Sequence, residues 1–174
     1  MDAIPRPIFL IGLPGAGKTT LGRAVSRRLG IPFIDLDEAI VADAGMSVPE
    51  IFAAEGEAGF RQRESRILSA LCHERAIIAC GGGTPCVPQN MQLMRRAGTT
   101  VWLCAPLQLL AQRIASQPGQ RPMFCNTDID SKLAELYDKR RQHYAKADVQ
   151  FDASRLDSLT QIESSVSQFI TQVL

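Results

Sequence analysis

Lysine is scarce in this chain of 174 residues: it occurs only at positions 18, 132, 139 and 146, and arginine supplies the other side-chain cations. With a net charge of +1 there is no chain-wide basic field to draw nucleic acid or an anionic membrane surface, and neither is expected as a partner. Long apolar runs are also missing. None approaches the ~20 residues of a membrane span. The stretch from Met1 to Ile11 lacks a basic region followed by a long apolar segment and a cleavage site, so neither membrane insertion nor export is expected. Cysteine pairs at CxxC spacing are absent. The cysteines are Cys72, Cys80, Cys86, Cys104 and Cys125, an odd number, and Cys80 and Cys104 lie in apolar, strand-like runs. That usage fits a reduced cytoplasmic compartment and excludes a disulfide scaffold, a cysteine metal cluster and a thiol nucleophile. Repeats, linkers and low-complexity tracts are lacking too. What remains is ordinary globular composition, 45% hydrophobic and 21% charged, at a length that suits one domain over residues 1–174.

Apolar segments alternate with amphipathic ones. Residues 8–12 (IFLIG) read as a short buried strand. Residues 19–29 follow as a helix with Leu21, Val25 and Leu29 on one face and Gly30 at its end. Further strands are expected at 32–36, 76–80, 100–105 and 149–152. Helices are expected at 47–52, 59–71, 89–97, 107–115 and 131–147, and near the C-terminus, where Leu159, Ile162, Val166, Phe169, Ile170 and Val173 share one side. Ser47 serves as an N-cap and Pro49 lies in the first turn after it. Strands that are apolar throughout, alternating with helices, imply a parallel sheet covered on both faces, hence an α/β domain. The long loop around residues 116–130 suits a moving lid, placed at about 114–128.

Gly12-Leu13-Pro14-Gly15-Ala16-Gly17-Lys18-Thr19 satisfies GxxxxGK[ST] and lies between an expected strand and an expected helix. Such a string arises by chance once in roughly 200 chains of this length. Glycines let backbone N–H groups converge on phosphate oxygens, and the helix that follows presents its positive end to the anion. Lys18 suits the β- and γ-phosphates of a nucleotide, and the Thr19 hydroxyl suits Mg²⁺.

Three features bear on the acceptor. Asp35-Leu36-Asp37 ends the second expected strand, where residues i and i+2 face the same way, so both carboxylates are expected on one side of the ligand-binding edge. One supports magnesium and the other accepts the proton of an attacking hydroxyl; the same pair also reads as ordinary turn aspartates. In Gly59-Phe60-Arg61-Gln62-Arg63-Glu64, Arg61 and Glu64 are helix neighbours at i,i+3. Glu64 can fix the Arg61 guanidinium for bidentate contact with a carboxylate; a solvated ion pair has the same pattern. Gly81-Gly82-Gly83, directly after a strand, marks a close backbone approach, either to a ligand or within a tight turn.

Together the P-loop, Asp35-x-Asp37, Gly45-Met46-Ser47-Val48-Pro49-Glu50-Ile51-Phe52, Gly59-Phe60-Arg61-x-x-Glu64, Gly81-Gly82-Gly83 and Arg121-Pro122 resemble the shikimate kinases in order and rough spacing. The resemblance spans nearly the whole chain, and Leu103-Cys104-Ala105-Pro106 is similar to the second of the two types known from enteric bacteria. It implies a P-loop fold like that of nucleoside monophosphate kinases, with a five-stranded parallel sheet of order 2-3-1-4-5 and a lid. It also implies transfer of the γ-phosphate of ATP to shikimate, with Mg²⁺, by a cytoplasmic monomer. Asp37 would bind the shikimate hydroxyls and act as general base, and Asp35 would hold magnesium beside Thr19. Arg61 and Arg140, the latter in an R-x-x-x-Y pattern with Tyr144, would pair with the shikimate carboxylate. Glu64 and Gly81 to Gly83 would complete that side, with the Gly82 N–H offered to substrate. Lys18 and the lid arginine Arg121 would act on the phosphates. Pro14, Gly15, Ala16, Gly17, Thr20, Arg113 and Arg155 would complete the ATP site, Arg113 by stacking on adenine. The lid departs from the family in reading Arg121-Pro122-Met123-Phe124, where a leucine usually follows the proline. Residues 152–157 lack the family's proline, and no apolar-apolar-Asp strand precedes Gly81. Two rivals remain at this point: another small-molecule kinase of the same fold, such as a gluconate kinase, and a nucleotide-dependent switch. The switch reading lacks an NKxD motif.

Overall fold

The computed structural model describes residues 6–117, 124 and 127–174. Five strands form one sheet: β1 (Ile8–Ile11), β2 (Phe33–Asp35), β3 (Ile77–Ala79), β4 (Thr99–Cys104) and β5 (Val149–Asp152). Their order is β2-β3-β1-β4-β5 and every pair is parallel. Every residue of β1 is buried, because helices cover both faces of the sheet. The helices are α1 (Lys18–Leu29), α2 (Leu36–Ala44), α3 (Val48–Leu71), α4 (Pro88–Ala97), α5 (Leu107–Ala115), α6 (Ile129–Tyr144) and α7 (Leu159–Val173), and a 3-10 turn spans Thr84–Cys86.

The core joins Phe9, Leu10 and Ile11 to Ile77, Ile78, Val101, Leu103 and Phe151. Leu21 and Val25 of α1 close one side, and Phe169 of α7 meets Phe151 edge-on at 5.3 Å. Strand β1 is flanked by β3 and β4, so the chain leaves it at the point where neighbouring connections diverge. In an open parallel sheet that point opens a crevice beyond the carboxyl ends of the strands. The register brings Asp35 opposite Ala79 and Leu10 opposite Ala79 and Val101, so the segments following β1, β2 and β3 all emerge along one edge.

One local feature departs from the sequence expectation. The sequence places no helix between residues 36 and 46, yet α2 begins immediately after Asp35. The helices expected at 47–52 and 59–71 are both present as the two halves of α3, separated at Gly56, whose φ of 70° and ψ of −177° are not helical. Arg63 bridges that break, donating to both carboxylate oxygens of Glu55 at 2.8 and 2.6 Å. At the start of α3, Ser47 and Glu50 form a reciprocal capping box, worth about 1 kcal/mol.

Candidate active site

The loop between β1 and α1 curls through the left-handed region at Gly15 (φ 81°) and Gly17 (φ 90°), where a side chain would be strained. Gly17 is the N-cap of α1 and no side chain caps the helix, so its first-turn N–H groups remain as donors for an anion. Lys18 Nζ donates to the carbonyls of Gly12 at 2.8 Å and Leu13 at 3.0 Å, which lays the ammonium across the mouth of the loop.

Beside it, Thr19 Oγ1 lies 3.5 Å from Asp35 Oδ2. The other oxygen of Asp35 caps α2, accepting from the N–H groups of Asp37 at 3.0 Å and Glu38 at 3.4 Å. This corrects the strand argument for the two aspartates. Asp35 ends β2 and Asp37 sits in the first turn of a helix, so strand alternation does not align them. They nevertheless face one cleft, because the cap folds the chain back at Leu36. The Asp37 side chain is exposed at the cleft, with protein packed close to its carboxylate. Lost hydration, then the charges of Asp35 and Glu64, raise its pKa above the usual aspartate value, opposed by Lys18 and Arg61.

The second half of α3 supplies Arg61 and Glu64. Arg61 Nη1 donates to Glu64 Oε2 at 2.9 Å, and Glu64 is 0% exposed. An ion pair with one member fully buried is not the solvated surface pair that the spacing alone allowed. The guanidinium also lies 5.3 Å from the ring centre of Phe60, which stacks on Phe52 at 4.7 Å to form an apolar wall. Opposite stands the glycine turn after β3. A Cβ on Gly82 would approach Arg140 Nη1 to 2.6 Å, and one on Gly83 would collide with the Arg61 guanidinium. The glycines are therefore needed for the two arginines to lie against the backbone.

These groups line one cleft of about 870 Å³. One end is formed by Pro14, Gly15, Gly17, Lys18, Thr19 and Thr20. Its other end is formed by Asp37, Arg61, Glu64, Arg140 and Gly81 to Gly83, with Asp35 between. Ala16 is buried in the loop itself. Arg113 and Arg155 are not among the cleft's lining residues. Arg113 reaches the carbonyls of Gly15 at 3.4 Å, Ala153 at 3.0 Å and Ser154 at 3.0 Å, and pairs with Asp157 at 2.9 Å, which ties residues 153–157 to the phosphate loop. Arg121 and the centre of the expected lid lie outside the described residues. Sequence reasoning missed Phe52 and Phe60 as a wall. Their signal was an FxxxxxxxF spacing, whose two rings are brought together across the Gly56 break.

Thr19 and Asp35 offer hard oxygen donors, the kind Mg²⁺ takes together with phosphate oxygens and water. Among the described residues no cluster of three or more His, Cys, Asp or Glu is present.

The shikimate kinase family model matches residues 14–173. The chain belongs to the shikimate kinase family. A shikimate kinase from Microcystis aeruginosa is 41% identical over 168 residues, covering 96% of this chain and 87% of that one. The crystal structure of the shikimate kinase from Bacteroides thetaiotaomicron superposes with a TM-score of 0.91 at 39% identity, covering 95% of this chain and 97% of that one. The Acinetobacter baumannii shikimate kinase, solved in complex with shikimate, gives 0.84 at 30% identity, covering 95% and 91%. As a shikimate kinase family member this chain is an ATP-dependent phosphotransferase with an alcohol acceptor, built on the P-loop sheet expected from its sequence. Family membership sets aside both the gluconate kinase and the switch readings.

Proposed function

We propose that this chain transfers the γ-phosphate of ATP to a hydroxyl of shikimate, forming ADP and 3-phosphoshikimate in the route to chorismate and the aromatic amino acids. The observation that carries the reading is the convergence, in one cleft, of a phosphate loop and an arginine held by a fully buried glutamate. The first binds a nucleotide's phosphates; the second suits a small carboxylate.

The roles follow from position. Lys18 and the donors of α1 hold the phosphates, and Arg121, on sequence grounds, adds a second cation there. Thr19 and Asp35 would hold Mg²⁺, which when bound would neutralise charge on the phosphate oxygens. Arg61 and Arg140 grip the shikimate carboxylate, and Phe52 and Phe60 cover the ring's apolar side. That grip brings a hydroxyl to Asp37, whose carboxylate orients it and accepts its proton. In-line transfer needs little more from the protein than this positioning and charge neutralisation. Residues 1–174 form the single catalytic unit, with a lid at about 114–128, acting as a cytoplasmic monomer. Among the described residues no helix is long and apolar enough to cross a membrane.

The test is ADP release measured with shikimate, gluconate and nucleoside monophosphates as acceptors. Turnover with shikimate alone supports the reading. Turnover that prefers either other acceptor, or ignores the acceptor, overturns it.

A further inference from the structure

Glu64 is a carboxylate taken wholly out of water, and such a group needs a donor at each oxygen. One oxygen accepts from Arg61 at 2.9 Å. The other accepts from the hydroxyl of Thr84 at 2.6 Å, and Thr84 is itself 0% exposed. Thr84 opens the 3-10 turn that follows the three glycines. Its own N–H donates to the Gly81 carbonyl at 3.1 Å, and its carbonyl accepts from the buried side chain of Asn90 at 3.2 Å. The threonine is thus pinned from the glycine turn on one side and from α4 on the other, and its hydroxyl meets the oxygen of Glu64 that Arg61 does not use.

We propose that Thr84 is a positioning residue for shikimate recognition: through Glu64 it sets the plane and reach of the Arg61 guanidinium. This rests on the reading that Arg61 meets the substrate carboxylate. With the Thr84 bond in place Glu64 has one rotamer, and the arginine fork is aimed before substrate arrives. Without it, one oxygen of a buried carboxylate has lost its donor, and Glu64 can turn to share both oxygens with Arg61. That turn draws the fork away from the cleft. Thr84 is fully buried and does not line the cleft, so its loss weakens acceptor binding and leaves nucleotide binding alone.

The experiment compares Thr84→Val, which keeps the shape and removes the hydroxyl, with Thr84→Ser, which restores a donor. Thr84→Val is expected to raise KM for shikimate about tenfold, as for a lost hydrogen bond to a charged group, with KM for ATP unchanged. Thr84→Ser is expected to recover most of that loss. Arg61→Lys is expected to cost less in the Thr84→Val background than in wild type, because the two act through one carboxylate. If Thr84→Val leaves KM for shikimate unchanged while Arg61→Lys raises it, the positioning role is wrong and the carboxylate clamp stands. If neither change moves KM for shikimate, the clamp reading itself fails. If Thr84→Ser is as impaired as Thr84→Val, or both raise the two KM values together, Thr84 only supports the fold and the proposal is overturned.

Discussion

The Tyr144 hydroxyl donates to the Gly82 carbonyl at 2.7 Å and so staples the last turn of α6 to the glycine turn after β3. Tyr144 is fully buried, with its ring 5.8 Å from that of Trp102, and burial pushes its phenol up to about 12, so it keeps its proton at any practical assay pH. Because that carbonyl is held back, the glycine turn has a fixed orientation toward the cleft, and Arg140 sits one helical turn before the tyrosine. Tyr144→Phe keeps the ring packing and removes the bond. The kcat/KM for shikimate is expected to fall about tenfold while KM for ATP holds. An equal rise in both KM values would show general loosening instead.

Asp37 carries a pH prediction. Its pKa is raised by burial, then by Asp35 and Glu64, and it must be ionised to accept a proton. Activity is therefore lost as pH falls through a pKa raised above the usual aspartate value. Asp37→Asn should lower turnover by ~10²-fold or more and remove that acid limb from the residual rate. The folded protein also binds this proton more tightly than the unfolded chain, so the group's contribution to stability falls as pH rises through the same window. At neutral pH, ligand-free Asp37→Asn should thus melt slightly above wild type. A variant that is inactive and also melts lower has lost its fold rather than its base.

Gly82 and Gly83 are tested by sterics. Alanine at either places a methyl group against an arginine of the clamp, Arg140 for the first and Arg61 for the second. Each should raise KM for shikimate about tenfold, because the guanidinium must move aside and its charge-assisted bonds weaken. KM for ATP should stay within about twofold, since the phosphate loop binds through other donors.

Lys18→Met removes the ammonium from the phosphate loop, so transfer should be abolished in a protein whose circular dichroism and melting stay close to wild type. A folded variant with near wild-type turnover would displace the phosphates from this loop.

Much of this was legible in the sequence. GxxxxGK[ST] between an apolar run and an amphipathic one fixed the phosphate end, because backbone geometry there depends on glycine and little else. The i,i+3 spacing of Arg61 and Glu64 gave their contact correctly but not its value, since burial of Glu64 is a tertiary fact. Asp35 and Asp37 were read with the wrong period. The signal of a helix start was present, an aspartate followed by acidic residues in the first turn, but the short apolar run before it favoured a longer strand. The bonds from Arg113 to the carbonyls of residues 153 and 154 were not legible, because no pattern records where backbone carbonyls point; they use its N–H donors and not the planar face that stacking on adenine would use. Thr84 carried no signal at all. Its role depends on the glycine turn swinging it beneath α3, 20 residues away in sequence.

The most direct test of the account is a two-by-two comparison of kcat/KM: wild type and Arg61→Lys, each with shikimate and with an analogue lacking the carboxylate. Lysine keeps the charge and loses the paired donors, at a cost of roughly 2–4 kcal/mol for a buried charge-assisted pair. The account predicts that the substitution is costly on shikimate, that the analogue is a very poor substrate for wild type, and that the two proteins barely differ on the analogue. If the substitution costs as much on the analogue as on shikimate, Arg61 does not read the carboxylate, and the acceptor half of this site has been misassigned.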